Sequence, residues 1–494
     1  MVVTLLEVLH NVSAALLSLI GLNALILSVI YLTTFRKERE RPAEPVEWPA
    51  VVVQLPIYNE RHVVERLIHT ISKLDYPQEK MSIQLLDDST DETINIAANS
   101  VERARQSGLT ITHVRRESRD GFKAGALAYG LAHSDAEFVA IFDADFVPDP
   151  DFLKRVIPYF GVDENLGMAQ TRWEHLNAEH SLLTRAQALA LDNHFVIEQI
   201  ARDRSGLLMN FAGTGGVWRR QCIEESGGWQ SDTLSEDIDL SYRAQLKGWE
   251  LIYLPDIGTP AEITPLMMGF KQQQARWATG TVQCLRKMGH VVLANRSLNL
   301  WQKIQAMLHL AAYFMHPLMI VLLLTSLPLI LTERLSQAPI AGLGLAMFGP
   351  PLASLLAQHR LRRDWLKRLS YFPVAMLIGV GIAVSNSEAV FKGLFGSRQP
   401  FRRTPKYHLQ GKQGKWIDSA YIVPIDRATW IELGLAGYAG LVAYAAWLRE
   451  PTMFPLMILY VLGFAYTAFL SLWQAGVSRR FVQRERRLEL SSNL

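Results

Sequence analysis

Cysteine is nearly absent: Cys222 and Cys284 are the only two in 494 residues, too few for a disulfide scaffold or a cysteine-built zinc site. They fit a reducing compartment. Charge of one sign is also missing. Fifty Lys and Arg against 47 Asp and Glu leave a net +3, which excludes a general nucleic-acid binder. There is no internal repeat and no low-complexity segment, and a hydrophobic content of 49% excludes a disordered chain. The length suggests about three domains. The mean hydropathy of +0.09, high for a purely soluble enzyme, averages two unlike parts.

Residues 5–31 are mostly apolar and long enough, at about 1.5 Å per residue, to cross a hydrocarbon core of roughly 30 Å. The run is too long for a signal-peptide core and is read as retained. Arg36, Lys37, Arg39 and Arg41 follow it directly, which places the next region on the cytoplasmic side. From 48 to 262 the texture is that of an α/β domain. Short apolar runs at 50–55, 83–86 and 138–142 alternate with helical stretches, as expected of parallel strands buried on both faces.

Membrane texture returns after 263–305, which reads as amphipathic interfacial helix. Spans are expected at 306–331 and 338–356 (a pair within 306–358) and at 428–448 and 453–473 (a pair within 428–475). The stretch 371–384 is nearer to re-entrant length. The basic segments 360–368 (five basic residues, one acid) and 397–415 (six basic, none acidic) flank that stretch and place 359–427 on the cytoplasmic side. The basic tail 476–494 falls there too. Five spans and one re-entrant segment result.

Polar residues gather where the strands end, the place where open α/β sheets bind ligands. Asp143-Ala144-Asp145 is a D-x-D that could hold a hard divalent cation together with a diphosphate, or could be a solvated turn. Asp87-Asp88 with Ser89 reads as a helix cap or as carboxylates recognising a nucleoside. Pro56-Ile57-Tyr58-Asn59-Glu60 places polar groups beside the same pocket. Lys123 lies between Gly121 and Gly125 and suits a phosphate or plain solvent, outside any P-loop pattern. Ser235-Glu236-Asp237 opens a helix, either as a cap or with one acid serving as general base. Gln273, Arg276 and Trp277 share one helix face. That face fits a diphosphate beside a sugar ring, or an interfacial anchor.

Taken in this order, Asp87-Asp88, Asp143-x-Asp145, Ser235-Glu236-Asp237 and Gln273-x-x-Arg276-Trp277 resemble the D, D-x-D, (T/S)-E-D and Q-x-x-R-W series of family-2 glycosyltransferases of the cellulose synthase and hyaluronan synthase type. Ser235 stands where Thr is usual. Phe401-Arg402-Arg403-Thr404-Pro405-Lys406 is similar to the F-x-V-T-x-K gating loop of cellulose synthases, with Arg403 in place of Val. The phrasing around the motifs is nearest to the plant cellulose synthase-like A and C groups and their bacterial relatives.

The resemblance implies a GT-A fold, a mixed and mainly parallel sheet, inserted between transmembrane helices. It implies Asp237 as the base, Asp143 and Asp145 on Mg²⁺ or Mn²⁺, and Tyr58 and Glu60 with Asp87 or Asp88 at the nucleoside. Lys123, Asp143, Gln273 and Arg276 would frame the diphosphate. Trp277 and Glu236 would meet the acceptor, and Phe401, Thr404 and Lys406 would close the loop over the loaded site. Trp173, His175 and Trp218 are further candidates for the acceptor path.

The implied partners are a nucleotide-diphosphate sugar, a growing polysaccharide, membrane lipids and a second copy of the chain. The implied location is an inner, plasma or Golgi membrane. GDP-mannose and UDP-glucose both remain as donors, with β-1,4 linkage and export of the polymer implied by the family. The competing expectations are transfer of one sugar to a lipid, as in ceramide glucosyltransferases, and a transporter or inactive scaffold, against which all the required acids are present.

Overall fold

The computed structural model describes the chain except residues 38, 336–343, 345, 397–402, 415, 417–423 and 493–494, with no side chains described from 482 onward. Its centre is a seven-stranded sheet in the order β3-β2-β1-β4-β6-β5-β7. The strands are β1 (Val51–Ile57), β2 (Met81–Asp87), β3 (Ile111–Val114), β4 (Phe138–Ile141), β5 (Leu166–His175), β6 (Gly216–Arg219) and β7 (Glu250–Ala261). β3, β2, β1 and β4 run parallel, and β6 is antiparallel to both of its neighbours. The expected mixed, mainly parallel sheet is present.

The apolar runs form strands because successive side chains point to opposite faces. Val51, Val53, Leu55 and Ile57 enter one core layer, while Val52 enters the other. The two polar residues in this row are matched: Gln54 Nε2 donates to Gln84 Oε1 at 3.0 Å, and Gln84 Nε2 donates to the Gly130 carbonyl at 2.9 Å. That second bond seats the helix Phe122–Ala132, which carries Lys123, on the sheet.

Among the described residues four helices are long and apolar enough to cross a membrane: Val2–Thr34, Ala312–Leu331, Arg427–Arg449 and Pro451–Phe481. A fifth candidate is the pair Trp365–Gly381 and Ala383–Phe395, bent by 48°. It covers the stretch expected to be re-entrant. The span expected to begin at 306 begins later, because the helix Leu300–Leu310 ends at Ala311 and a short turn intervenes before Met315. The start of the span expected at 338–356 lies outside the described residues. Its far end belongs to a 13-residue helix, Gly349–Leu361, which docks on the α/β domain: Asn193 Nδ2 donates to Ser354 Oγ and Gln358 Nε2 donates to Asp192, both at 2.8 Å. Leu27 and Tyr31 of the first helix join the same core layer as Val52. Membrane-type helices and sheet thus share one core.

The helix Met267–Ala294, 28 residues long, is the other joint. Lys271 on it is 1% exposed, and its ammonium lies 2.9 Å from Glu432 and 3.3 Å from Asp426, with Thr429 at 3.0 Å. Removing one member of a buried pair strands the other charge, at a cost of about 3–5 kcal/mol. Lys271→Met is therefore expected to lower the thermal unfolding midpoint in detergent, and Glu432→Gln added to it should recover part of the loss.

Candidate active site

The carboxyl ends of the neighbouring parallel strands β2, β1 and β4 and the amino end of β6 meet at one cleft. Tyr58 and Glu60 reach it from β1, Asp88 from β2, and Asp143 and Asp145 from β4. Glu236 and Asp237 come from the start of the helix Glu236–Leu246, and Gln273, Arg276 and Trp277 from the long helix. Thr404 and Lys406 cross above. Phe401 lies outside the described residues. Of the three aromatic candidates, Trp173 and His175 line the cleft, whereas Trp218 is wholly buried in the core.

Of the Asp87-Asp88 pair, only Asp88 lines the cleft, and Asp87 does not. It was one of the two candidates for the nucleoside, but its side chain turns inward, accepting from the Ser89 N–H and pairing with His113 Nε2, both at 2.8 Å. It braces the β2 turn. Asp88 takes the cleft position and is gripped by Arg116, with Nε at 3.0 Å and Nη2 at 2.5 Å. Arg119 lies 3.4 Å over the Tyr58 ring, closing that end with a cation on an aromatic face.

Among the described residues the cleft wall holds eight carboxylates and five Lys or Arg side chains. The acids are kept together by the cations. Lys123 Nζ lies 2.5 Å from Asp143 Oδ1 and donates to the Gly213 carbonyl at 2.8 Å. Burial works against its charge, but Asp143, Glu236 and Asp237 outweigh it and hold the lysine above its ordinary value. Lys406 Nζ donates to Asp145 Oδ2 at 2.7 Å, and Asp145 is 3% exposed. Arg403, the departure from the gating-loop pattern, faces Glu60 at 3.2 Å. Burial still pushes the Glu60 carboxyl up to about 8, against Arg403 and Lys406.

Asp237 is pushed up to about 7 by burial and then by Glu236, with Lys123 opposing. Gly213 passes beside it at φ +85, and a Cβ there would sit 2.9 Å from Asp237 Oδ2. Only glycine suits both the conformation and the space.

For a cation, the residues offer two hard oxygen donors, Asp143 and Asp145, each already drawing an ammonium group. No set of three or more His, Cys, Asp or Glu ligands occurs among the described residues. That composition suits Mg²⁺ or Mn²⁺ held by two carboxylates, with diphosphate oxygens and water completing the shell.

Three residues escaped the motifs. Arg116 and Arg119 sit in the basic stretch before Gly121, a signal that was available. Glu262 was not singled out, and its only trace is an acid set between Ala261 and Ile263.

A mainly parallel sheet with a D-x-D at the end of β4 and a cleft built on its carboxyl edge defines a GT-A glycosyltransferase domain. Residues 49–280 match the family described as Glycosyltransferase like family 2, and this segment is a domain of that family. The chain is 38% identical over 295 residues to glucomannan 4-beta-mannosyltransferase 1 of Oryza sativa subsp. japonica, covering 57% of this chain and 57% of the relative. It is 40% identical over 261 residues to glucomannan 4-beta-mannosyltransferase 2 of Arabidopsis thaliana, covering 52% and 49%. The chain thus spans about half the length of the curated relatives it matches. A solved structure, the mannosyltransferase PcManGT from Pyrobaculum calidifontis in complex with GDP-Man and Mn²⁺, shares the fold. Its TM-score is 0.52 at 22% identity, covering 79% of this chain and 99% of that one.

The long helix reaches the Asp237 loop at Gly280, where a Cβ would lie 2.1 Å from Ser235 Oγ and 2.8 Å from Ser235 N. Gly280→Ala must therefore move the helix that carries Gln273, Arg276 and Trp277. Overpacking of this kind costs about 1–3 kcal/mol, to be read as a lowered unfolding midpoint against Gly289→Ala, whose nearest contact would be an ordinary 3.4 Å.

Proposed function

We propose that the protein is an inverting hexosyltransferase that builds a β-linked mannan or glucomannan, β-1,4 in linkage, from GDP-mannose with or without UDP-glucose, and passes the polymer across its membrane. The observation that carries this reading is the meeting of Asp237, the Asp143–Asp145 pair and the Gln273, Arg276 and Trp277 face around one cleft. Similarity to relatives named glucomannan 4-beta-mannosyltransferases supports the choice of sugar. The basic residues 36–41 support a cytoplasmic catalytic domain. The clamp between the Met267–Ala294 helix and the helix Arg427–Arg449 supports delivery of product into the membrane region.

In this mechanism the acceptor sugar stacks on Trp277, and Asp237 takes the proton of its attacking hydroxyl. The new C–O bond forms at the anomeric carbon as the bond to the diphosphate breaks on the opposite face. Arg276 and Lys123 hold the departing phosphates, and no protein nucleophile is needed. Mg²⁺ or Mn²⁺ at Asp143 and Asp145 would neutralise charge on the leaving group. Tyr58, Asp88 and Arg119 hold the nucleoside end.

A base works only when ionised. With its carboxyl near 7, Asp237 is protonated as pH falls through that value, so kcat/KM should drop about tenfold per unit below pH 7 and level off above it. Asp237→Asn should lower kcat by roughly 10²- to 10⁴-fold with nucleotide-sugar binding retained. Wild-type turnover in that variant removes Asp237 as the base.

The substrate is tested with full-length protein in lipid vesicles, with Mg²⁺ or Mn²⁺ and labelled GDP-mannose or UDP-glucose, alone and together. The expected product is high-molecular-weight and falls to β-mannanase. Label that partitions into organic solvent as a single-sugar lipid overturns the polymerase reading.

A further inference from the structure

Glu262 follows the last residue of β7 and is 2% exposed. Every polar group it owns is committed. Its N–H donates to Asp145 Oδ2 at 3.0 Å, and its carbonyl accepts from Lys406 Nζ at 3.0 Å. Carboxylate Oε1 accepts from the Tyr407 N–H at 2.7 Å and Oε2 from the Leu409 N–H at 3.0 Å. The Arg66 guanidinium lies 3.6 Å from Oε2.

Residues 403–409 have no strand ladder of their own, yet Tyr407 and Leu409 are buried. Buried amides must find acceptors. Here one carboxylate serves alternate N–H groups of an extended segment, as a neighbouring strand would. The main chain of the same residue holds Asp145, the very group on which Lys406 rests. Side chain and main chain of Glu262 thus fix the two ends of the Lys406–Asp145 contact.

We propose that Glu262 is the positioning residue that docks segment 403–409 over the cleft, setting Lys406 at the D-x-D and Arg403 and Thr404 in the cleft wall. The proposal rests on reading the cleft as a glycosyl-transfer site. Docking excludes water from the diphosphate end, and a segment held through one carboxylate can be released as a unit.

The test uses the full chain in vesicles and the variants Glu262→Ala, Glu262→Gln, Lys406→Ala and Glu262→Ala/Lys406→Ala. Hydrogen exchange at the Tyr407 and Leu409 amides should accelerate by roughly 10- to 100-fold in Glu262→Ala, the scale of hydrogen bonds to a charged group. Exchange along β1 should stay unchanged. Glu262→Gln, which keeps one acceptor oxygen, should fall between. Transfer rate should drop over a similar range in Glu262→Ala and Lys406→Ala, while donor hydrolysis rises relative to transfer. In the Lys406→Ala background, loss of Glu262 should add little.

Unchanged exchange at Tyr407 and Leu409, or losses that multiply in the double variant, would overturn the proposal. If Glu262→Ala does not fold, Glu262→Gln decides both arms, with Glu262→Gln/Lys406→Ala completing the cycle. A wild-type protein that transfers neither sugar sinks the proposed function alone, because the exchange arm still decides whether Glu262 docks the segment.

Discussion

Mutual repulsion of carboxylates governs the architecture of the site. Two such groups about 4 Å apart cost roughly 4 kcal/mol at an effective dielectric of 20, and here eight share one wall. The wall persists because cations reach it from separate parts of the chain: Lys123 from the helix behind the sheet, Arg276 from the long helix, and Lys406 and Arg403 from the segment between membrane helices. The ends of β1, β2 and β4 supply acids, and elements before and after them supply the counter-charges.

The same economy joins sheet to membrane. The Met267–Ala294 helix presents Gln273, Arg276 and Trp277 to the cleft, touches the Asp237 loop at Gly280, and buries Lys271 against Glu432. One helix thus takes part in both the cleft wall and the packing against the apolar helix Arg427–Arg449.

How far the sequence revealed this follows from range. The strands β1, β2 and β4 were readable because apolar runs buried on both faces are local, and their acids sat at the predicted ends. Gln273, Arg276 and Trp277 were readable because helical spacing is local too. The antiparallel β6 was not, since four residues, Gly216–Arg219, carry no period of their own and pair through contacts far along the chain. Asp87 and Asp88 were not told apart because adjacent acids look alike until His113, on the neighbouring strand, claims one of them. Glu262 matters through two backbone amides more than 140 positions away, which no spacing rule reaches.

Arg403, Thr404 and Lys406 line the cleft, and they lie beyond two apolar helices and the bent pair Trp365–Gly381 and Ala383–Phe395, and before two more apolar helices. The enzyme-like part is therefore not a cassette. A fragment ending with the sheet would keep the strand ends but lose Trp277 together with Arg276, Arg403 and Lys406, three of the five cations in the cleft wall. The sheet, the long helix and the segment between the apolar helices build the wall of one cleft together.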